Sequence, residues 1–129
     1  VTGAVNWIVK STRPDGMFAY WVCSKRLAAP RQYDMYLLVW NVEYLIETKY
    51  MPLVLGGEGV QLQVVTDASF ATLKGRKSVC GHLMRCHELG GAVYAEISAT
   101  TSVVNSIFEA ELISINKGVN LMVEMFSMS

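Results

Sequence analysis

An α+β fold is expected of this chain: N-terminal helices, then a three- to four-stranded, mainly antiparallel sheet, then a C-terminal helix. Three observations predict it. Apolar residues recur at spacings of three and four up to about Tyr50 and again beyond Ser106, the period of a helix with one buried face. Between these regions the texture changes to short apolar runs separated by glycine pairs, the pattern of strands and hairpin turns. And 129 residues at 52% hydrophobic and 17% charged suffice for about one domain with an ordinary core.

A short helix is expected around Ala4–Lys10. Ser11 and Thr12 followed by Pro14 and Asp15 read as a helix start, with hydroxyls for the N-cap, proline in the first turn and a carboxylate at the positive end of the dipole; this predicts a second helix over Pro14–Leu27. Ala28, Ala29 and Pro30 break it. Tyr33, Leu37, Trp40 and Tyr44 then mark one apolar face of a third helix ending near Lys49, before Pro52. Met51–Leu55, the glycine-rich stretch 56–59 and Val60–Thr66 read as strand, turn and strand. Ser78–Glu88, Gly90-Gly91 and Ala92–Ser98 continue the meander. From Ser106 to Phe126, the residues Phe108, Leu112, Ile115, Val119, Met122 and Phe126 form a continuous stripe expected to pack inward, with Glu111 at its border. The change near Tyr50 is the one candidate boundary, dividing a helical segment 1–50 from a segment 51–129.

The charge pattern narrows the function classes. Eleven basic and eleven acidic residues give a net charge of +0, so no global basic field announces a nucleic-acid binder and any such contact must be local. Three cysteines, an odd number with no secretory leader before them, point to reduced thiols and an intracellular location. No apolar run approaches the roughly 20 residues of a membrane span, so no membrane partner is expected. A mean hydropathy of +0.30 is high for a domain of this size, and implies apolar surface that something covers.

Four motifs carry a resemblance. "STRPDG" opens the second helix; "VTDASFATLKGRKSVCGHL" spans the second and third predicted strands; "GGAVYAEIS" gives a turn and strand; "SIFEAELISI" begins the last helix. In this order they resemble copia-type LTR-retrotransposon polyproteins, from the end of the reverse transcriptase into the RNase H domain, and the likeness covers nearly the whole chain. The resemblance implies that residues 1–50 form the helical connection after the polymerase and that residues 51–129 form a truncated, partial RNase H-like fold. It also implies ancestral cleavage of the RNA strand of RNA–DNA hybrids by a two-metal mechanism.

Carried onto this sequence, the resemblance makes Asp67 and Glu111 catalytic magnesium ligands, with Glu109 the neighbour in the same motif. Hard divalent cations take oxygen ligands, and two metals about 4 Å apart activate a water and stabilise the leaving oxygen. The family's next aspartate lies in a Y-C-D-N motif after the first helix, whereas the only acid here after Glu111 is Glu124. Two of four expected carboxylates are therefore absent. Magnesium, which keeps several waters and relies on accumulated ligand charge, is expected to bind weakly or not at all. Asp15 and Asp34 have no motif tying them to a metal.

Other features have simpler readings. Cys80, His82, Cys86 and His87 suggest zinc, but on a strand rising about 3.3 Å per residue the two cysteines stand roughly 20 Å apart. Lys74, Arg76 and Lys77 form a basic turn after Asp67 that suits the phosphates of an RNA–DNA hybrid, or simply a solvated hairpin. Neither histidine has a serine or cysteine at triad spacing. Two functions follow: a nuclease fragment, inactive or nearly so alone, or an inactive RNase H-like module serving as a structural or interaction component. In the second case the strand ending at Asp67 presents an open edge, which a homo-oligomer or another protein partner is expected to cover.

Overall fold

In the computed structural model, which describes residues 1–59 and 61–128, the N-terminal region forms α1 (Thr2–Ser11), a 3-10 turn (Pro14–Gly16), α2 (Met17–Ser24) and α3 (Gln32–Glu47). The expected cap at Ser11 and Thr12 is corrected: the Thr12 hydroxyl donates back to the Ile8 carbonyl at 3.3 Å, so Thr12 closes α1 and does not open α2. The T-R-P-D motif is instead a clamp. Arg13 Nε and Nη2 hold the two Asp15 carboxylate oxygens at 3.0 and 2.7 Å, while Nη2 also reaches Thr48 Oγ1 at 2.6 Å and Nη1 the Leu45 carbonyl at 3.3 Å. A guanidinium on the last turn of α3 meets the negative end of that helix. The same bidentate contact, with a donated hydrogen bond from Tyr44 Oη at 2.8 Å, holds the Asp15 carboxyl below its ordinary range.

Helix α3 is rotated from its expected orientation. Tyr33, Trp40 and Tyr44 are exposed and Leu37 half-buried, while Asp34, Leu38, Asn41 and Leu45 face inward. Two close contacts explain the rotation. Gly16 has no side chain, and a Cβ there would lie 2.8 Å from Val9 Cγ1 and 3.3 Å from Asn41 Oδ1, so α3 approaches closely with Asn41 Nδ2 donating to the Gly16 carbonyl at 3.4 Å. Asp34, 4% exposed, accepts from the Arg31 backbone N–H at 2.9 Å, which fixes the start of the helix. Inward amide and carboxylate groups are invisible to a purely apolar periodicity.

The sheet is a three-stranded antiparallel meander in the order β1 (Gln63–Ser69), β2 (Lys77–Arg85), β3 (Ala92–Val103). β1 pairs with β2 in the register Thr66 to His82 and Asp67 to Gly81; β2 pairs with β3 in the register His82 to Glu96. The expected strand Met51–Leu55 is corrected: this stretch is irregular. Its backbone makes one bond to the next hairpin, Gly91 N–H to the Val54 carbonyl at 2.7 Å, and its Leu55 backbone fills the space a side chain at Gly90 would need. Within the expected strand Val60–Thr66, Val60 lies outside the described residues and pairing begins at Gln63.

Strand alternation sorts the faces into three layers. Ala95 packs into the cluster of Val5, Val9, Met17, Cys23, Leu38 and Leu45, with Ile97 against it, so the N-terminal helices cover the face that also carries Gly81 and Asp67. Helix α4 (Ile107–Ser127) crosses the other face, over β1 and β2. Its N-cap is Ser106, whose Oγ accepts from Glu109 N–H at 3.1 Å. The packing of α4 corrects a further expectation. Its buried residues are Ala110, Ser114 and Gly118, a seam of small side chains, while Phe108 (72% exposed), Leu112, Ile115 and Val119 face outward. Small residues let the helix backbone come down onto Val64, Thr66 and His82, which leaves the bulky stripe on the outside.

Candidate carboxylate site at the edge of β1

Asp67 sits on β1, an edge strand, exposed and paired through its backbone to Gly81. The alternation of β1 sends its side chain to the face opposite Thr66, into a groove of about 370 Å³ shared with Pro14, Asp15, Phe18, Gly81 and Ile97. Glu111, half-buried, lies on α4 on the other side of the strand. One bond links their surroundings: Ser114 Oγ, one turn after Glu111, donates to the Asp67 carbonyl at 3.0 Å. The strand aspartate and the helix glutamate thus belong to two elements pinned together next to both residues.

The orientation of α4 decides where Glu111 points. Lys117 Nζ donates to Ser98 Oγ on β3 at 3.0 Å, so the flank with Lys117, Asn120 and Glu124 leans toward β3. At 100° per residue Glu111, Ile115 and Met122 fall on the opposite flank. That flank overhangs the free edge of β1. Glu111 therefore approaches the edge from above while Asp67 approaches from below. Glu109 is otherwise engaged, its Oε2 accepting from Asn105 N–H at 2.6 Å as part of the helix cap.

Among the described residues no three His, Cys, Asp or Glu side chains are gathered closely enough to hold a metal ion. Magnesium is commonly held by one or two carboxylates with waters and substrate phosphates, but Asp67 and Glu111 come from opposite sides of β1 and are not gathered around one ion here. Asp15 and Asp34 of the helical region are committed elsewhere, to Arg13 and Arg31 respectively.

Lys74, Arg76 and Lys77 are all exposed on the turn joining β1 to β2. The turn is tight: Gly75 has φ +79° and Arg76 φ +58°, and Arg76 N–H donates to the Leu73 carbonyl at 3.0 Å. Of the zinc-like residues, Cys80 and His82 are buried on the α4 face of β2, while Cys86 and His87 lie beyond its end.

His82 is the residue that sequence reasoning undervalued. Its Nε2 lies 2.9 Å from the Ser114 carbonyl, and its buried Nδ1 has no hydrogen-bond partner. With Ser114 it forms the polar centre of the α4 seam. The S-x-x-x-G spacing of Ser114 and Gly118, four residues apart, is the signal that could have revealed it. Comparison with known protein families, with curated proteins and with solved structures finds no match for this chain.

Proposed function

We propose that this chain is of RNase H lineage from a copia-type retrotransposon polyprotein, acting on RNA–DNA hybrids through a site of which it supplies Asp67 and Glu111. The observation that carries this reading is the Ser114–Asp67 tie, which brings the turn of α4 bearing Glu111 to the strand bearing Asp67, in a chain whose T-D-A-S and E-A-E-L motifs resemble that family at these positions. The exposed Lys74, Arg76 and Lys77, on the turn that follows β1, would hold the hybrid's phosphates. Asp67 and Glu111 lie on opposite sides of β1, so the pair does not by itself gather a magnesium ion. The 129-residue chain is accordingly expected to bind hybrid weakly and not to cleave it. A fluorescence-anisotropy titration with an RNA–DNA hybrid, alongside a magnesium-dependent cleavage assay, tests this. Robust cleavage abolished by Asp67→Asn would show that the site is complete, and absence of hybrid binding would remove the nuclease reading.

A second reading is favoured by a separate observation, the apolar flank of α4 above an open strand edge: an interaction module that keeps the fold without the chemistry. Three free thiols, Cys23, Cys80 and Cys86, support an intracellular, reducing location for either function. Among the described residues no helix is long and apolar enough to cross a membrane.

A further inference from the structure

We propose that the outer side of α2 carries a second nucleic-acid contact, an aromatic platform of Phe18 and Trp21 ending in Lys25 and Arg26, which takes a single-stranded extension of an RNA–DNA hybrid where it leaves the groove of Asp67. This deepens the nuclease reading and rests on it.

The charge of this stretch sets it apart from a chain that is neutral as a whole. From residue 16 to residue 42 the sole acid is Asp34, against Lys25, Arg26 and Arg31. Asp34 is buried and paired with Arg31, so that ion pair accounts for one of the three cations. Lys25 and Arg26 are exposed and form no ion pair among the described residues. Two positive charges therefore stand together at the end of α2 with no acid to neutralise them.

A row of rings leads from the Asp67 groove to these cations. Phe18, 64% exposed, lines the groove that holds Asp67. One turn further along the helix, the Trp21 ring lies 6.4 Å from the Phe18 ring, centre to centre, at an angle of 32°. Lys25, which caps the C-terminus of α2, sets its Nζ 3.2 Å above the Trp21 ring centre. Spacings of three and four keep positions 18, 21 and 25 on one side of the helix, so the row runs roughly 10 Å along its axis.

The order of these groups selects the occupant. A base paired within a duplex has both ring faces covered by its neighbours, whereas an unpaired base is free to lie on an aromatic side chain. Phe18 offers an open ring face beside the groove, and the cations beyond it suit the phosphates that follow such a base. Continuity favours nucleic acid over an acidic protein. Phe18 shares its groove with Asp67, and the turn bearing Lys74, Arg76 and Lys77 follows Asp67 on the same strand, so one hybrid with a single-stranded end accounts for both groups of cations.

Fluorescence anisotropy of a blunt RNA–DNA hybrid, and of the same hybrid with an extension of about four nucleotides on either end, tests this. The extension should tighten binding about tenfold, the worth of one well-stacked base. Phe18→Leu keeps an apolar side chain without a ring face and should lose most of that gain, while Phe18→Trp should keep it. Lys25→Ala combined with Arg26→Ala should lower the salt slope of the extended hybrid by about 1.4, at roughly 0.7 per single-strand phosphate, and leave the slope of the blunt hybrid unchanged. All three positions are exposed, so the variants should match the parent in circular dichroism and melting temperature. A blunt hybrid bound as tightly as the extended one, or a gain that survives Phe18→Leu, overturns the proposal and leaves the nuclease reading standing. Extended hybrid bound by the parent and blunt hybrid ignored upholds the α2 platform and counts against the nuclease reading. A chain that binds neither overturns both.

Discussion

Replacing Gly118 by alanine sets two effects of known sign against each other, and the geometry says which wins. In a helix interior, alanine favours folding over glycine by about 1 kcal/mol. A Cβ at 118, however, would lie 2.5 Å from Thr66 Cγ2, 3.3 Å from Val64 Cγ1 and 3.6 Å from His82 Cδ2. The first two belong to β-branched side chains whose χ1 is stiff, on a strand paired along its length to β2, so neither swings aside cheaply. Overpacking of this kind costs about 1–3 kcal/mol. Adding the lost fit of the Ser114 and His82 contacts as α4 lifts, Gly118→Ala should be destabilising by about 1–2 kcal/mol, a fall in melting temperature of roughly 3–8 °C for a domain of this size. Thermal unfolding followed by circular dichroism measures it, with Asn120→Ala as an exposed helical control expected within about 0.5 kcal/mol of the parent. Thr66→Ser removes the clashing methyl, so the double variant should recover part of the loss. An alanine variant that melts at or above the parent, with no coupling to position 66, would refute the close seating of α4.

Other expectations follow from the same contacts. Asp15 and Asp34 have carboxyls held below their ordinary range, chiefly by the Arg13 and Arg31 side chains. Their folded-state values lie below the unfolded ones, so their stabilisation is present above the ordinary carboxylate pKa of about 4 and is lost as pH falls through the lowered values. Urea midpoints should therefore drop between about pH 6 and about pH 3, and Asp34→Asn should flatten part of that slope; an unchanged slope would contradict the assignment. The Tyr94 hydroxyl is pushed up to about 12, first by burial and then by Glu96 beside it, whose Oε2 accepts its hydrogen bond at 3.0 Å. Glu96→Gln should lower that value in a spectrophotometric titration yet leave it above the ordinary 10, because burial remains; a return to about 10 would reverse the order of causes. Ser114→Ala removes the bond to the Asp67 carbonyl and should cost about 0.5–1.5 kcal/mol by denaturant unfolding. Replacing Lys74, Arg76 and Lys77 together by alanine should weaken hybrid binding and reduce its salt slope by about 2–3, whereas an unchanged slope would place the phosphates elsewhere.

Element types were largely legible in the sequence, and orientations were not. The α+β class, the meander and the long final helix follow from period and glycine placement, which depend on local backbone preference. Which face of α3 or α4 turns inward depends on neighbours distant in sequence. Gly16 beneath Asn41, and Thr66 beneath Gly118, select polar or small residues for the interior, so the apolar stripe marks the outward side in both helices. Met51–Leu55 has strand composition but meets a glycine pair where a ladder partner was expected. Of the candidate site, Asp67 and Glu111 were legible only as motif positions. Their approach from opposite sides of one edge required the direction of the Lys117–Ser98 contact.

The glycine pair at 90 and 91 acts as a mechanical coupling. The chain joining α3 to β1 passes against this hairpin with no room for a side chain: Leu55 backbone fills the space at Gly90, Leu53 Cδ1 lies 2.5 Å from the Cβ position at Gly91, and Gly56 crowds the ring of His87. The stretch expected as a strand and turn is thus a keyed joint. The N-terminal helices are tied to the β2–β3 hairpin twice, through the core around Ala95 and through this connector.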